Sequence, residues 1–139
     1  MYGDRDITFH LSIHVHPEVE AMGTPVLAAV WGCVVEQPLG GRVDLVAACL
    51  MPDHLHLLMR PRDMDVLRFL NTFKSWTTRL AWKAGHRGPL WQPGMWDRTV
   101  YPGRDFDETL RYVVGNPVAA GLVDDPADWP WTWVAPMEA

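Results

Sequence analysis

The sequence has 139 residues, a length that predicts one domain, because domains usually hold about 100–200 residues. Hydrophobic residues make up 48% of the chain and charged residues 21%, which excludes a disordered chain, a collagen-like repeat and a coiled coil. The formal net charge of −5, taken alone, argues against a partner as acidic as nucleic acid. We expect residues 1–139 to form a single domain around one core.

The cysteines and the apolar runs predict the cellular compartment of this domain. Cys33 and Cys49 lie in apolar stretches and lack the spacing of a metal site, so we expect reduced core residues of a cytoplasmic protein. No apolar run approaches the ~18 residues of a membrane span, and the acidic N-terminus is unlike a signal peptide. The sequence therefore predicts no membrane partner.

The first elements in the chain are a strand and a helix. Residues 7–15 alternate between apolar and polar side chains, the period of a strand with one buried face. Thr24 is a candidate N-cap and Pro25 suits the first helical position. The apolar residues that follow recur at helical spacing to about Gln37, so a helix is expected there.

Two apolar runs of strand length follow, at residues 43–50 and 55–60. Pro52 and Asp53 between them supply turn chemistry, which predicts a hairpin.

The second half of the chain begins with a long amphipathic helix, predicted at residues 64–84. A short strand is expected at residues 96–101. Asp105 followed by Glu108 has the spacing of a capping box and predicts a helix to about Gly115. The complete order is β-α-β-β-α-β, which predicts an α+β fold of the ferredoxin-like split βαβ type, an antiparallel sheet with helices packed on it.

His54 and His56 are the first candidates for chemistry. Residues two apart on a strand share a face, so both imidazoles emerge side by side while the intervening leucine points to the core. Such a pair forms a bidentate platform for a divalent metal ion, and the alternative is two solvated strand histidines.

Tyr112 and Asn116 are the second pair. They are four residues apart on a predicted helix, so the phenol and the amide occupy the same face. Tyrosine is a known covalent nucleophile, which a nearby metal assists by polarising the group attacked. The alternative is a packing tyrosine and a residue at a helix end.

The basic residues are concentrated in one part of the chain. Ten of the twelve lie between Arg60 and Arg111 with six acidic residues, so this segment carries +4 and the remainder −9. On the long helix, one polar and cationic stripe recurs at helical spacing, formed by Arg68, Thr72, Ser75, Arg79 and Lys83. This asymmetry favours a phosphate-binding surface over a merely solvated helix face. The eight tryptophans are expected mostly in the core or covering it, with stacking platforms for bases as the alternative.

Three blocks in order resemble one known family. Residues 48–58, ACLMPDHLHLL, resemble the "MPNHvHll" signature of the single-tyrosine HUH transposases. Residues 90–98, LWQPGMWDR, and 110–123, LRYVVGNPVAAGLV, resemble later blocks of the REP-associated tyrosine transposase branch. Residues 128–133, DWPWTW, are similar to its "dWpwSS" tail. The resemblance covers about residues 7 to 133, and the three blocks together are far more specific than any one.

The resemblance implies the ferredoxin-like HUH endonuclease fold and an enzyme that nicks and rejoins single-stranded DNA near hairpins through a 5′-phosphotyrosine. It implies Tyr112 as the nucleophile, and His54, His56 and Asn116 as ligands of a divalent metal ion, Mg²⁺ or Mn²⁺. DNA contacts are expected from Arg60, Arg68, Arg79, Lys83 and Arg98, and from His10 and His14 as DNA or second-sphere contacts.

Some residues depart from the family's pattern, and alternatives remain open. Asp53 stands where the signature has Asn, beside the first ligand, and Gly115 precedes Asn116, where it weakens a helix end. Two other functions compete: a catalytically inactive DNA-hairpin-binding module, and a metal-dependent hydrolase without a covalent intermediate. The active form is a monomer acting in cis or a homodimer.

Overall fold

The computed structural model describes residues 7–36, 43–62 and 65–136. Its elements in chain order are β1 (Thr8–His14), α1 (Thr24–Glu36), β2 (Val43–Met51), β3 (His54–Pro61), α2 (Val66–Lys83), β4 (Trp96–Val100), α3 (Arg104–Ala119), a 3₁₀ turn (Pro126–Asp128) and β5 (Thr132–Val134). The five strands form one antiparallel sheet in the order β4-β1-β3-β2-β5. The predicted α+β ferredoxin-like order is therefore confirmed, and the predicted helix ends at Gln37 and Met64 lie outside the described residues.

The sheet separates two layers of helices, because side chains alternate along each strand. Leu11, Ile13, Leu55 and Leu57 face α1 and α2 in the larger core cluster. The opposite face packs α3 through a smaller cluster around Val113. Cys33 and Cys49 are both free and buried, as expected, and no helix among the described residues is long and apolar enough to cross a membrane.

The start of α3 differs from the sequence prediction. The capping box is wrong, because the helix begins at Arg104 after Gly103, and no side chain caps it. The Asp105 carboxylate accepts hydrogen bonds from the Tyr101 backbone N–H and from Arg98. It therefore lies inside the first turn, where its charge suits the positive end of the helix dipole.

The end of α3 also lies further along the chain than predicted. The helix continues through Gly115 to Ala119 and contains the buried Pro117. It closes with two hydrogen bonds, from the Gly121 N–H to the Val118 carbonyl and from the Leu122 N–H to the Pro117 carbonyl. Gly121 has a φ of 75°, which glycine adopts without strain, so this closure keeps the last turn helical despite the proline.

The segment before β4 is attached to α2 by hydrogen bonds that involve Trp91 and Lys74. The buried Trp91 donates from Nε1 to Thr77 Oγ1 at 2.8 Å. Lys74 Nζ donates to the carbonyls of Gln92, at 2.6 Å, and of Gly94, and burial lowers the pKa of Lys74. The block around Trp91 therefore has a packing role in this fold.

β5 is a strand that the sequence did not predict. Three residues pair with β2, and the Leu50 N–H donates to the Trp131 carbonyl. Trp129 Nε1 donates to the Leu50 carbonyl at 2.9 Å. The tail therefore covers the β2 edge of the sheet, which would otherwise expose unpaired backbone groups.

Candidate active site

Four histidines lie on the face of the sheet that α3 covers. On β3, His54 and His56 alternate with buried leucines, as predicted. The antiparallel register places His14 opposite His54 and Ser12 opposite His56, and His10 lies one step further along β1. The strand pairing therefore brings residues about 40 positions apart in sequence into one cluster.

The tautomer of His54 follows from its neighbour Asp53. His54 Nδ1 lies 2.7 Å from Asp53 Oδ1. An ionised carboxylate only accepts hydrogen bonds, so Nδ1 carries the proton and donates it. In the neutral ring, Nε2 then presents its lone pair.

The His56 ring is held in the same tautomer from two sides. Its Nε2 lies 3.0 Å from Asn116 Nδ2, a donor, and therefore accepts. Its Nδ1 consequently carries the proton and donates to His10 Nε2, also at 3.0 Å. His10 is only 3% exposed, which favours the second-sphere role over direct contact with DNA.

The resulting arrangement fits a divalent metal ion. The Nε2 atoms of His54 and His56 lie 3.0 Å apart with their lone pairs facing each other. Adjacent ligands of an octahedral ion at about 2.1 Å are separated by about 3.0 Å. A half-turn of the Asn116 amide, whose N and O are interchangeable in shape, adds an oxygen to this set. Among the described residues, no group of three or more His, Cys, Asp or Glu side chains is placed to hold a metal ion.

His10, His14 and His56 have lowered pKa values, which favours their neutral form. Burial, followed by the charge of Arg98, lowers the pKa of His10 to about 4. Burial, followed by His54, His10 and His14, lowers the pKa of His56 to about 3. Burial and His54 also lower the pKa of His14, against the opposite effect of Asp53. Neutral imidazoles are the form that binds a metal.

These pKa shifts predict that the metal-free protein loses stability in mild acid. In the unfolded chain His10 and His56 take up protons near pH 6.5, whereas in the folded chain they stay unprotonated until about pH 4 or below. Stability is therefore complete above about pH 6.5 and falls as the pH drops towards 4. Thermal melts of the wild type in EDTA should show this decline in stability as the pH falls. His10→Gln should show a shallower decline, because it lacks one of the two histidines. Parallel curves for the two proteins would contradict the shift at His10.

Tyr112 lies beside the histidines in the same chain. It is on α3, one turn before Asn116, and 59% of it is exposed. Its ring lies 5.5 Å from the His56 ring at 75° and 6.2 Å from the His10 ring. The predicted nucleophile is thus accessible and next to the predicted ligands, without a second subunit.

Beside Tyr112 is a cleft that the sequence did not indicate. Its volume is about 490 Å³, and it lies between β4 and α3. Its lining residues are His10, Ser12, His14, His56, Trp96, Arg98, Asp105, Glu108, Thr109 and Tyr112. Only the pairing of β4 with β1 brings Trp96 here, so local sequence pattern carries no signal for it.

Of the predicted DNA contacts, the arginines on the strands have partners within the protein. Arg98 donates to both Asp105 oxygens, at 3.0 and 3.1 Å, and to Thr109 Oγ1 at 2.7 Å. Arg60 donates to Thr8 Oγ1 at 3.0 Å, and its guanidinium lies 5.9 Å from the Phe106 ring. Arg60 shares the face of His56, about 13 Å further along β3 at the usual strand rise.

The predicted cationic stripe lies on the other side of the sheet. Arg68, Arg79 and Lys83 are exposed on α2, which packs on the face opposite the histidines. Residues 66–96 contain no acidic residue and five Lys or Arg. The stripe is therefore part of a uniformly basic surface, but the structure does not bring it to the histidine site.

Comparisons with known proteins agree with this geometry. The model of the family "Transposase IS200 like" matches residues 6–112. A Haemophilus influenzae protein assigned by name to the REP-associated tyrosine transposases is 28% identical over 101 residues, covering 64% of this chain and 57% of that protein. The Escherichia coli REP-associated tyrosine transposase is 24% identical over 89 residues, covering 64% of this chain and 53% of that protein. The chain thus spans just over half the length of these curated relatives.

Two solved structures share the fold. A REP-associated tyrosine transposase bound to a REP hairpin matches with a TM-score of 0.66 and 18% identity, over 95% of this chain and 79% of that one. A Deinococcus radiodurans protein described as a transposase matches with a TM-score of 0.58 and 20% identity, over 78% of this chain and 88% of that one. With the family model matching most of the chain, the protein belongs to the IS200-like transposases, and the relatives that it matches carry the name of the REP-associated tyrosine branch.

Proposed function

We propose that this protein is a metal-dependent endonuclease and strand-transferase that cleaves single-stranded DNA next to hairpins through a 5′-phosphotyrosine. The observation that carries the proposal is the convergence of His54 Nε2, His56 Nε2 and the Asn116 amide beside the exposed Tyr112. The hairpin-bound structural relative supports the choice of substrate.

The metal-binding part of the proposal concerns three ligands and two residues that orient them. His54, His56 and Asn116 would hold a Mg²⁺ or Mn²⁺ ion, which when bound neutralises charge on the scissile phosphate. Asp53 and His10 accept the Nδ1 protons of the two imidazoles and so hold both Nε2 lone pairs towards the position that the metal ion would occupy. Asp53, where the family signature has Asn, strengthens the first of these hydrogen bonds through its charge.

The covalent step belongs to Tyr112. Its phenol oxygen attacks the phosphorus in line and gives up its proton to solvent, while the bond from phosphorus to the 3′ oxygen breaks and that oxygen takes up a proton. The products are a 5′-phosphotyrosine and a free 3′-OH. Because the phosphodiester energy is retained, a second 3′-OH reverses the step and joins strands without a nucleotide cofactor. All four groups come from one chain, which supports action in cis by a monomer.

Trapping of the covalent species tests this function. Wild-type protein with Mn²⁺ and labelled single-stranded hairpin oligonucleotides should give a protein–DNA band that survives denaturing electrophoresis. Cleavage without such a band would indicate a hydrolase that uses water. Binding without cleavage, across several hairpins, would indicate an inactive binding module.

The basic α2 surface is proposed to hold the DNA backbone, and its contribution should depend on salt. For single strands the slope of log affinity against log salt changes by about 0.7 for each phosphate contact. Replacement of Arg68, Arg79 and Lys83 by Gln should therefore reduce the slope by about 2. Filter binding from low to moderate salt measures this slope.

Arg62→Gln is the matched control for that experiment. Arg62 lies 3.4 Å from Asp44 at the open end of the β2–β3 hairpin, so a carboxylate offsets its charge. This variant should keep the wild-type slope. An unchanged slope in the triple variant would remove α2 from the DNA-binding surface.

A further inference from the structure

The cleft beside Tyr112 differs in charge from a phosphate-binding site. Arg98 is its one Lys or Arg among the described lining residues, and that guanidinium is already bonded to Asp105 and Thr109. Glu108 adds a second carboxylate at the wall, paired at 2.9 Å with Arg104. Both carboxylates are thus paired with an arginine, and neither arginine keeps an uncompensated charge for a phosphate, so this wall suits an occupant without a negative charge of its own.

The cleft also offers an aromatic surface. Trp96 lies on the edge strand β4 and is 50% exposed, although tryptophan is usually covered. Its ring lies 5.1 Å from the His10 ring at 79°, so the buried His10 supports it from one side. An exposed, supported indole next to hydrogen-bonding side chains is suited to a flat ligand with an apolar face and a polar edge.

We propose that this cleft binds an unpaired nucleobase next to the scissile phosphate, stacked on Trp96. The inference rests on the proposed function in one respect, that the strand attacked by Tyr112 is DNA. A strand whose phosphate lies at Tyr112 places a neighbouring base within the same cleft, because both groups line it. The scissile phosphate of that strand lies at the end of the cleft formed by Tyr112 and His56, and the remaining phosphates face solvent. Trp96 is then a positioning residue, which sets the strand's register at the nucleophile.

Binding of short oligonucleotides in EDTA, where no cleavage interferes, tests the stacking. The probes are fluorescein-labelled (dC)₈ and an abasic octamer of the same charge. Wild-type protein should bind (dC)₈ about tenfold more tightly than the abasic strand, since one stacked base is worth about that factor. Trp96→Leu should lose most of this difference, and Trp96→Phe should retain part of it.

Tyr101→Leu is the control, because Tyr101 is an aromatic side chain that is 67% exposed and does not line the cleft. It should keep the preference for (dC)₈. If Trp96→Leu keeps the preference as well, or if Tyr101→Leu alone loses it, the cleft is not the base site. An octamer carrying 2-aminopurine gives a second measurement: its fluorescence should be quenched by wild type and Tyr101→Leu, and not by Trp96→Leu.

The two proposals fail separately. Base-dependent binding through Trp96 without any covalent adduct would overturn the endonuclease function and retain the base site. An adduct from wild type, with Trp96→Leu and Tyr101→Leu indistinguishable in both binding assays, would retain the function and overturn the base site. Circular dichroism and thermal melting establish that each variant is folded.

Discussion

Replacement of Tyr112 by phenylalanine is expected to abolish the covalent protein–DNA species while DNA affinity stays within about threefold of wild type. Phenylalanine keeps the ring beside His56 and removes only the hydroxyl. Because the attacking oxygen is then missing, adduct formation should fall at least about a thousandfold. Denaturing electrophoresis with Mn²⁺ and a labelled hairpin measures the adduct, and anisotropy in EDTA measures binding.

Tyr101→Phe is the matched control for this experiment. Tyr101 is 67% exposed, just before α3, and does not line the cleft beside Tyr112. Its variant should form the adduct at the wild-type rate. Mass spectrometry of the trapped peptide should locate the nucleotide on Tyr112. An adduct formed by Tyr112→Phe, or one located on Tyr101, would show that the nucleophile is misassigned.

Replacement of His56 by alanine is the change with the second largest expected effect. It removes one proposed ligand and the acceptor of the Asn116 hydrogen bond. It also removes contacts that orient the other groups, because His56 lies 3.0 Å from each of His10, His54 and Asn116. Mn²⁺ affinity, measured by titration calorimetry, should fall more than about a hundredfold, and adduct formation should become undetectable.

His86→Ala is the control for nonspecific loss of an imidazole. His86 follows α2, where its Nε2 lies 3.0 Å from the Pro89 carbonyl, remote from the site. Since His56 is buried, His56→Leu serves as a second variant that fills much of the same volume and has no group that binds a metal ion. Unchanged Mn²⁺ affinity in a folded His56→Leu protein would exclude His56 as a ligand, and addition of EDTA to wild type should reproduce the loss of activity.

Local sequence patterns were sufficient where a structure depends on neighbours in the chain. The alternation at residues 7–15 placed β1, and Pro52 with Asp53 placed the hairpin, because strand period and turn chemistry act over a few residues. The same period put His54 and His56 on one face. The spacing of Asp105 and Glu108 led to the wrong prediction of a capping box. Gly103 is the N-cap of the helix, and the Asp105 carboxylate accepts a hydrogen bond from Arg98 on β4.

The location of the positive charge could likewise be predicted only in part from the sequence. The net charge of −5 argued against nucleic acid, whereas its distribution along the sequence indicated a basic segment. Only the fold shows that this segment is divided between two surfaces. α2 carries exposed cations on one side of the sheet, and on the other side Arg98 is neutralised by Asp105.

The sequence by itself determined the order of the elements from β1 to α3, the paired histidines, and the tyrosine with its asparagine one helical turn later. Each of these depends on spacing within a single strand or helix. The tertiary structure alone decided that His10 bonds to His56, that Trp96 lies beside Tyr112, and that β5 covers the sheet edge. These contacts join residues from different elements, and their formation depends on strand order and register, which are set by the packing of the whole core.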